Sequence, residues 1–289
     1  MARLHRLMLP PGRVAAQPGT LISAESSRFA CSSAHLRHWP FMRSKLLLLL
    51  PLVSAPFAVP QSNNVPPKEI LYYNVEWRLI SSGKARVEWT PQTQPRQPSE
   101  IHLHLESIGL VSKLFKVEDD YDAIMGPNFC AQHIEMTSHE GSRRRETKVN
   151  FTYGATNKAD YLEHDLVKNT VLLNQEIEVP PCVHDVLGAL YALRVMDLEP
   201  SRSIEIPVSD GKKSAMVKVD AQAREEVKTP AGIFKTVRYE VYIFNNVIYR
   251  RSAHLTLWLT DDARKLPVEI RVRLPFTIGT ITLQLEKHE

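Results

Sequence analysis

The chain has 289 residues, of which 43% are hydrophobic and 24% are charged, so it is long and apolar enough to bury an ordinary globular core. Its formal charge of +4 is concentrated at the N-terminus, because residues 1–58 hold seven Lys and Arg but only one acid, Glu25. From Val59 onward, 29 basic residues face 31 acidic ones. This near-neutral remainder gives no electrostatic reason to expect nucleic-acid binding.

Residues 42–58 have the features of a secretory signal. Arg43 and Lys45 follow Met42, and an apolar run then continues to Ala58, which reproduces the basic and apolar regions of such signals. Prolines interrupt the run, and it is too short to cross a bilayer as a stable helix. We therefore expect a signal peptide here, with an uncleaved N-terminal anchor as the alternative.

The segment upstream of this signal, residues 1–41, is basic and rich in Ser, Pro and Ala. It indicates either a mis-assigned start, with translation from Met42, or a long transit-type leader. The predicted organisation is a leader over 1–58, a proline-rich spacer over 59–67 and a single β-rich domain over 68–289.

Alternation of apolar and polar residues predicts strands along most of this domain. A hairpin opens it, with strands at 70–79 and 85–90 around a turn at Ser81-Ser82-Gly83-Lys84. Residues 109–115 fit a short helix or a loop. The other predicted strands lie near 101–105, 117–126, 130–138, 145–153, 158–165, 204–208, 215–227, 234–244, 254–259, 268–274 and 278–285.

The pattern changes once to a helical period. Asp185 can cap a helix over Val186–Val195, because its carboxylate can accept bonds from the first free amides. About a dozen short strands joined by tight turns favour an antiparallel arrangement. The predicted fold is mainly β: a curved antiparallel sheet or open barrel of about ten to twelve strands, with one short packed helix.

Two cysteines lie beyond the leader, Cys130 and Cys182, 52 positions apart. In an exported chain they can form one disulfide, and the alternative is a pair of buried, unbonded thiols. Cys182 also lies close to His184 beside the helix start, where a thiolate would be favoured. We interpret this proximity as structural, because no catalytic nucleophile motif accompanies it.

His102 and His104 are two positions apart on a predicted strand, so both point to the same face as Glu106. Such spacing can begin a zinc site, which needs three or four ligands. The sequence brings no particular further ligand close. The favoured interpretation is a polar, solvated sheet face, so we predict no metal site and no cofactor. The candidates for a further ligand are His133, His139, His164, His184 and His254.

Four stretches in order carry a resemblance to a known family. They are Asp185–Arg194, Thr229–Phe234, Trp258–Asp262 and Leu266–Val268. Together with the hairpin around Leu71–Trp89, they resemble the DUF3108 family of bacterial envelope proteins over roughly residues 68–287. The family has no settled activity, so the resemblance assigns no catalytic residues. Its expected shape is similar to that of periplasmic lipoprotein carriers and outer-membrane lipoprotein receptors, which hold acyl chains in the hollow of a curved sheet.

The resemblance implies an exported bacterial protein, periplasmic or associated with the outer membrane. We expect it to bind a lipid or another hydrophobic ligand on the concave face of the sheet. The alternative is a non-enzymatic structural or assembly protein that acts through protein–protein contacts. No enzyme motif is present. Besides a ligand or envelope proteins, peripheral membrane contact is a further expectation, for which Arg143-Arg144-Arg145 could meet lipid phosphates.

Overall fold

The computed structural model of the chain describes residues 65–94 and 97–289, so the predicted leader over 1–58 lies outside the described residues. In the described part, fourteen strands form one antiparallel sheet. The strands are β1 (Glu69–Trp77), β2 (Ile80–Thr90), β3 (Ser99–Ser107), β4 (Val117–Met125), β5 (Ala131–Glu140), β6 (Arg143–Thr152), β7 (Lys158–Asp165), β8 (Thr170–Glu178), β9 (Ser203–Ser209), β10 (Ser214–Thr229), β11 (Gly232–Val241), β12 (His254–Thr260), β13 (Pro267–Arg273) and β14 (Thr280–His288).

Helices occur at two places, α1 (Gly109–Leu114) and α2 (Val186–Val195), and a 3₁₀ turn covers Pro127–Phe129. The prediction of a mainly β fold built on an antiparallel sheet is confirmed. The predicted ten to twelve strands and single helix are too few. None of the helices in the described part is long and apolar enough to cross a membrane.

The sheet runs β8-β7-β6-β5-β4-β3-β2-β1-β14-β13-β12-β11-β10-β9. It is a continuous meander in which the first strand pairs with the last, with Val75 opposite Leu283. Among the described strands, β8 and β9 stand at the two edges and do not pair with each other. The sheet is therefore open, and the long connection that carries α2 joins its two edge strands.

The first hairpin turns earlier than the sequence predicts. Trp77 pairs with Ile80, so the turn consists of Arg78 and Leu79, both with positive φ. The predicted turn at Ser81–Lys84 is wrong, because these residues lie within β2. A two-residue turn of this kind usually carries Gly or Asn. Here the Arg78 side chain compensates by donating to the carbonyl oxygens of Phe276, Thr277 and Ile278 at 2.8–3.2 Å.

Because successive strands alternate in direction, every second connection lies at the same end of the sheet. We call one set of connections the rim. The rim consists of residues 78–79, 108–116, 141–142, 166–169, 242–253 and 274–279. The opposite end, which we call the base, carries α2. The turn between β9 and β10 starts at the rim end but folds into the interior, as described below.

Helix α2 closes the base through an aromatic cluster. Tyr191 is fully buried and stacks on Trp89, with ring centroids 4.4 Å apart. Trp89 also contacts Phe129 at 5.7 Å, and its indole N–H donates to the Pro66 carbonyl oxygen at 2.9 Å. A larger apolar cluster lies under β1, β2 and β9–β14, and a smaller one under β5–β8. The helix thus packs on the sheet, as the sequence predicts, and it does so on the concave side.

Candidate functional site

The candidate site is a row of inward-facing side chains on β2, β3 and β4. Val87 lies opposite Leu103, and Leu103 lies opposite Tyr121. Directly paired residues share one face of a sheet. All three pack against the buried clusters, so this face is the concave one. Leu105, two residues further along β3, points to the same side.

These four residues, which we call the concave patch, are not fully covered. Val87, Leu103, Leu105 and Tyr121 are only partly buried. By contrast, Trp89, next on the same face of β2, is 0% exposed. The patch is thus covered less completely than Trp89, on which Tyr191 of α2 stacks. An apolar surface on the inner face of a curved sheet that still meets solvent is suited to an apolar ligand.

A polar group lies at the base end of the patch. The Tyr121 hydroxyl donates to the Asp185 carboxylate at 2.8 Å. Asp185 also caps α2, as predicted, by accepting from the amides of Leu187 and Gly188 at 3.0 and 3.1 Å. Burial raises the pKa of Asp185, although these hydrogen bonds act in the opposite direction. The Asp185 carboxylate therefore has a structural role, because it accepts hydrogen bonds from three groups of the protein.

A second carboxyl group lies at the rim end of the patch. Asp119 is opposite Leu105 in the sheet and is buried. Burial raises its pKa from 3.8 to about 6, and the backbone N–H of His139, which donates to it at 3.0 Å, opposes this rise. The acidic run 118–122 thus lies within β4, where the sequence predicts a strand near 117–126. Alternation along this strand puts Asp119 on the same face as Val117 and Tyr121.

The interior under β5–β8 is filled by the turn between β9 and β10. A Cβ on Gly211 would lie 2.6 Å from Val149, so the turn touches β6 closely. The Lys212 ammonium lies 4.7 Å from the centre of the Tyr161 ring. The backbone carbonyl oxygen of Lys212 accepts a hydrogen bond from the Gln175 side-chain amide at 3.1 Å. Burial lowers the pKa of Lys212. This half of the concave face therefore leaves less room for a ligand than the concave patch.

A partly buried ion pair also lies in this half. Arg145 Nη1 is 2.7 Å from Glu163 Oε1, and the Tyr161 hydroxyl donates to Glu163 Oε2 at 3.1 Å. Of the three consecutive arginines, only Arg145 takes part in this pair, whereas Arg143 and Arg144 are exposed beside the turn at 141–142. Of the three arginines that the sequence suggested for contact with lipid phosphates, Arg145 is thus held by Glu163.

The outer face of β3 carries the two histidines singled out from the sequence. His102 Nδ1 is 2.7 Å from Asp122 Oδ1, and His104 Nδ1 is 2.7 Å from Asp120 Oδ1. Both pairs are partly exposed. Among the residues that the structure describes, no group of three or more His, Cys, Asp or Glu is arranged to hold a metal ion. The histidines thus contribute to a polar outer face.

Cys130 and Cys182 form a disulfide, with Cα atoms 4.6 Å apart. Of the two alternatives for these residues, the structure adopts the bonded one. His184 is directed elsewhere, with Nδ1 2.8 Å from the Phe129 carbonyl oxygen, and burial lowers its pKa. The disulfide-bonded sulfur of Cys182 cannot act as a nucleophile. Cys130 and Cys182 therefore serve to hold the base together.

Comparison with known proteins assigns the chain to a family. The sequence profile of DUF3108, a family of proteins of unknown function, matches residues 72–286, and the chain belongs to that family. A comparison with curated proteins finds no match. Among solved structures, a β-barrel-like DUF1849 protein from Brucella abortus matches with a TM-score of 0.48 at 5% identity, over 77% of this chain and 97% of that one.

Two further solved structures are similar over most of their length. A candidate exported protein with a YmcC-like fold from Bacteroides fragilis matches with a TM-score of 0.30 at 8% identity, over 78% of this chain and 97% of that one. A candidate lipoprotein from Parabacteroides distasonis matches with a TM-score of 0.31 at 7% identity, over 78% and 98%. We draw no functional argument from likenesses at these identities.

Proposed function

We propose that this protein binds a lipid acyl chain or another hydrophobic ligand on the concave patch. The observation that carries the proposal is the partial exposure of the inward-facing row Val87–Leu103–Tyr121, beside a row that is fully buried. Apolar side chains on an inner face gain free energy when a ligand covers them, at about 25 cal/mol per Å² of apolar surface removed from water.

The polar groups at the two ends give such a ligand an orientation. A chain lying along the patch would run between the Tyr121–Asp185 pair at the base and Asp119 at the rim end. Asp119 is the more adaptable partner for a ligand head group, because its raised pKa of about 6 makes the carboxyl a hydrogen-bond donor in mildly acidic solution and an acceptor above it. Apolar sites with a few placed polar groups are typical of small-molecule binding.

Filling the patch tests the proposal without unfolding the protein. We expect Leu103→Trp to weaken the binding of a fluorescent fatty acid at least roughly tenfold, since the larger ring occupies the ligand's space. The matched control is His104→Trp on the outer face of the same strand, which should bind as the parent does. Native mass spectrometry of the parent should show an acyl species that excess fatty acid displaces. A parent protein that takes up no fatty acid would overturn the proposal, as would equal binding by both variants.

We also propose that the protein is exported to the bacterial envelope and is not an enzyme. The support for export is the signal-like segment 42–58. The support for a non-catalytic role is that the buried carboxylates Asp185 and Glu163 both bond to structural partners. Cell fractionation tests the location: recovery of the chain in the cytoplasm, with residues 1–58 intact, would contradict export.

A second candidate, a structural or assembly role, is favoured by strand β8. This edge strand has Val171 and Leu172 exposed, and no described strand pairs with its outer side. Free strand edges are sites where another chain can add a strand. Under this alternative, Val171→Lys should abolish cross-links between the protein and an envelope partner, while fatty-acid binding at Leu103 is unaffected. The two functions are therefore separable by experiment.

A further inference from the structure

Exposed large apolar side chains are concentrated at the rim. In the described connections and the residues directly next to them, nine lie at the rim and one, Tyr153, at the base. Phe276 is 96% exposed and Leu79 is 90% exposed, values close to those of an unfolded chain. The nine are Leu79, Ile80, Leu110, Leu114, Phe115, Leu166, Val167, Tyr242 and Phe276. Such a grouping marks an interaction surface.

The rim carries an excess of positive charge. Its six connections contain six basic residues and no Asp or Glu, although Glu118 beside them pairs with Lys116 at 2.6 Å and Asp165 accepts from the amides of Val167 and Lys168. The basic residues are Arg78, Lys113, Lys116, Lys168, Arg250 and Arg251. The base is mixed by comparison, since its connection 261–266 has two acids and two bases, and 196–202 has two acids and one base. The rim thus combines protruding apolar groups with an excess of positive charge.

Leu79, Leu114 and Phe276 of the rim are held in fixed positions relative to one another. The Arg78 side chain donates to three successive carbonyl groups of the turn that contains Phe276. The connection that includes α1 is tied to β2 by the bond from the Ile108 N–H to the Ser82 carbonyl oxygen, at 3.0 Å. These connections belong to neighbouring strands in the sheet. Leu79, Phe276 and Leu114 therefore protrude from one preformed surface.

We propose that the rim docks onto an anionic phospholipid bilayer, with Leu79, Leu114 and Phe276 inserted at the interface and the lysines and arginines over the phosphates. A protein partner with a matching groove would have to be both apolar and acidic, whereas an anionic bilayer surface supplies both properties at once. The side chains project singly rather than forming a groove, which suits penetration between lipid head groups. This inference concerns a different surface from the concave patch and does not depend on it.

The test is binding of the full-length chain to vesicles made of equal parts phosphatidylglycerol and phosphatidylcholine. Residues 1–64 are identical in every variant, so a difference between variants reports on the substituted residues. We expect Leu79→Ser combined with Phe276→Ser to weaken binding roughly tenfold, because two interfacial anchors are lost. Lys113→Gln and Lys168→Gln should each weaken it roughly fivefold. Binding should also fall with added salt and be much weaker on phosphatidylcholine alone.

The matched control is Ile233→Ser, which removes an exposed side chain, 62% accessible, at the base. It should bind vesicles as the parent does. As an independent readout, Phe276→Trp should show vesicle-dependent quenching by brominated lipid beyond that of the parent. The proposal is overturned if the rim double variant binds as tightly as the parent, if Ile233→Ser weakens binding equally, or if Trp at 276 is not quenched. Loss of the double variant's binding without loss of its thermal stability supports it.

Discussion

The guanidinium group of Arg194 on α2 and the carboxylate of Glu69 at the start of β1 form a bidentate ion pair. Arg194 Nη2 lies 3.0 Å from Glu69 Oε2, and Nη1 contacts Oε1. The Arg194 side chain is 1% exposed. The Tyr191 hydroxyl donates to the same carboxylate at 3.0 Å, and the guanidinium lies 4.8 Å from the Tyr191 ring centre. The last turns of α2 are thereby attached to the first strand.

Breaking this pair should be strongly destabilising. We expect Arg194→Ala to lower the free energy of unfolding by about 3–5 kcal/mol, since Glu69 would remain as a buried, uncompensated charge. Replacing both partners, as Arg194→Met with Glu69→Met, should cost much less than the sum of the single changes. Urea denaturation of Arg194→Met, Glu69→Met and the double variant gives the coupling energy between the two side chains. The exposed pair of Lys84 and Glu286 is the control, where Lys84→Ala should cost at most about 1 kcal/mol.

The disulfide between Cys130 and Cys182 should stabilise the chain by constraining its unfolded state. It closes a loop with a sequence separation of 52, for which the chain-entropy account gives about 3–4 kcal/mol. We expect the double variant Cys130→Ser/Cys182→Ser to unfold at correspondingly lower urea concentration. A reducing agent should shift the parent towards the variant and leave the variant unchanged. An unchanged unfolding midpoint on reduction would show that the bridge adds no stability.

The sequence predicts well those structural features of this protein that depend on short stretches of neighbouring residues. The helix α2 begins after Asp185 and ends at Val195 as predicted, because a capping carboxylate and a helical period are both short-range features. The turns at 209–212 and 229–232 were likewise predictable from Pro and Gly. The family resemblance was recognisable from the same short motifs. In each case the information lies within about ten consecutive residues.

The features that sequence reasoning missed depend on distant partners. Strand β8 was not predicted, because Gln175 occupies an inward position where alternation would demand an apolar residue. Gln175 is tolerated there only because its amide donates to the carbonyl of Lys212 in the inserted turn. The turn at Arg78–Leu79 similarly depends on carbonyl groups about 200 positions away. The concave patch could not be foreseen for the same reason.

Gly188 illustrates how packing can outweigh helix propensity. In an isolated helix, Gly→Ala would gain about 1 kcal/mol. Here a Cβ would lie 2.5 Å from Asp185 Oδ1 and 3.0 Å from Met125 Sδ, and Asp185 is held by its bonds to Tyr121 and the helix amides. We therefore expect Gly188→Ala to lower the unfolding free energy by about 1–2 kcal/mol. Gly154→Ala, with nothing within 4 Å of the added Cβ, is the control and should change stability little.

Asp119 should make the stability of the protein depend on mildly acidic pH. Its pKa is about 6 in the folded state, against an ordinary value of 3.8. Between these two values the folded state holds a proton that the unfolded state has released, so stability falls as pH rises through this window. A difference of about two pKa units corresponds to roughly 3 kcal/mol.

The experiment compares the parent with Asp119→Asn, which cannot ionise and so removes this one contribution while other titrating groups remain. We expect the parent to gain stability relative to the variant as pH falls from about 7 to about 4. At neutral pH the variant should be the more stable of the two, because the ionised Asp119 is disfavoured by burial. Parallel stability curves over this range would mean that Asp119 reaches water more easily than its position opposite Leu105 implies. A carboxyl with that freedom would also be a weaker candidate for holding a ligand head group.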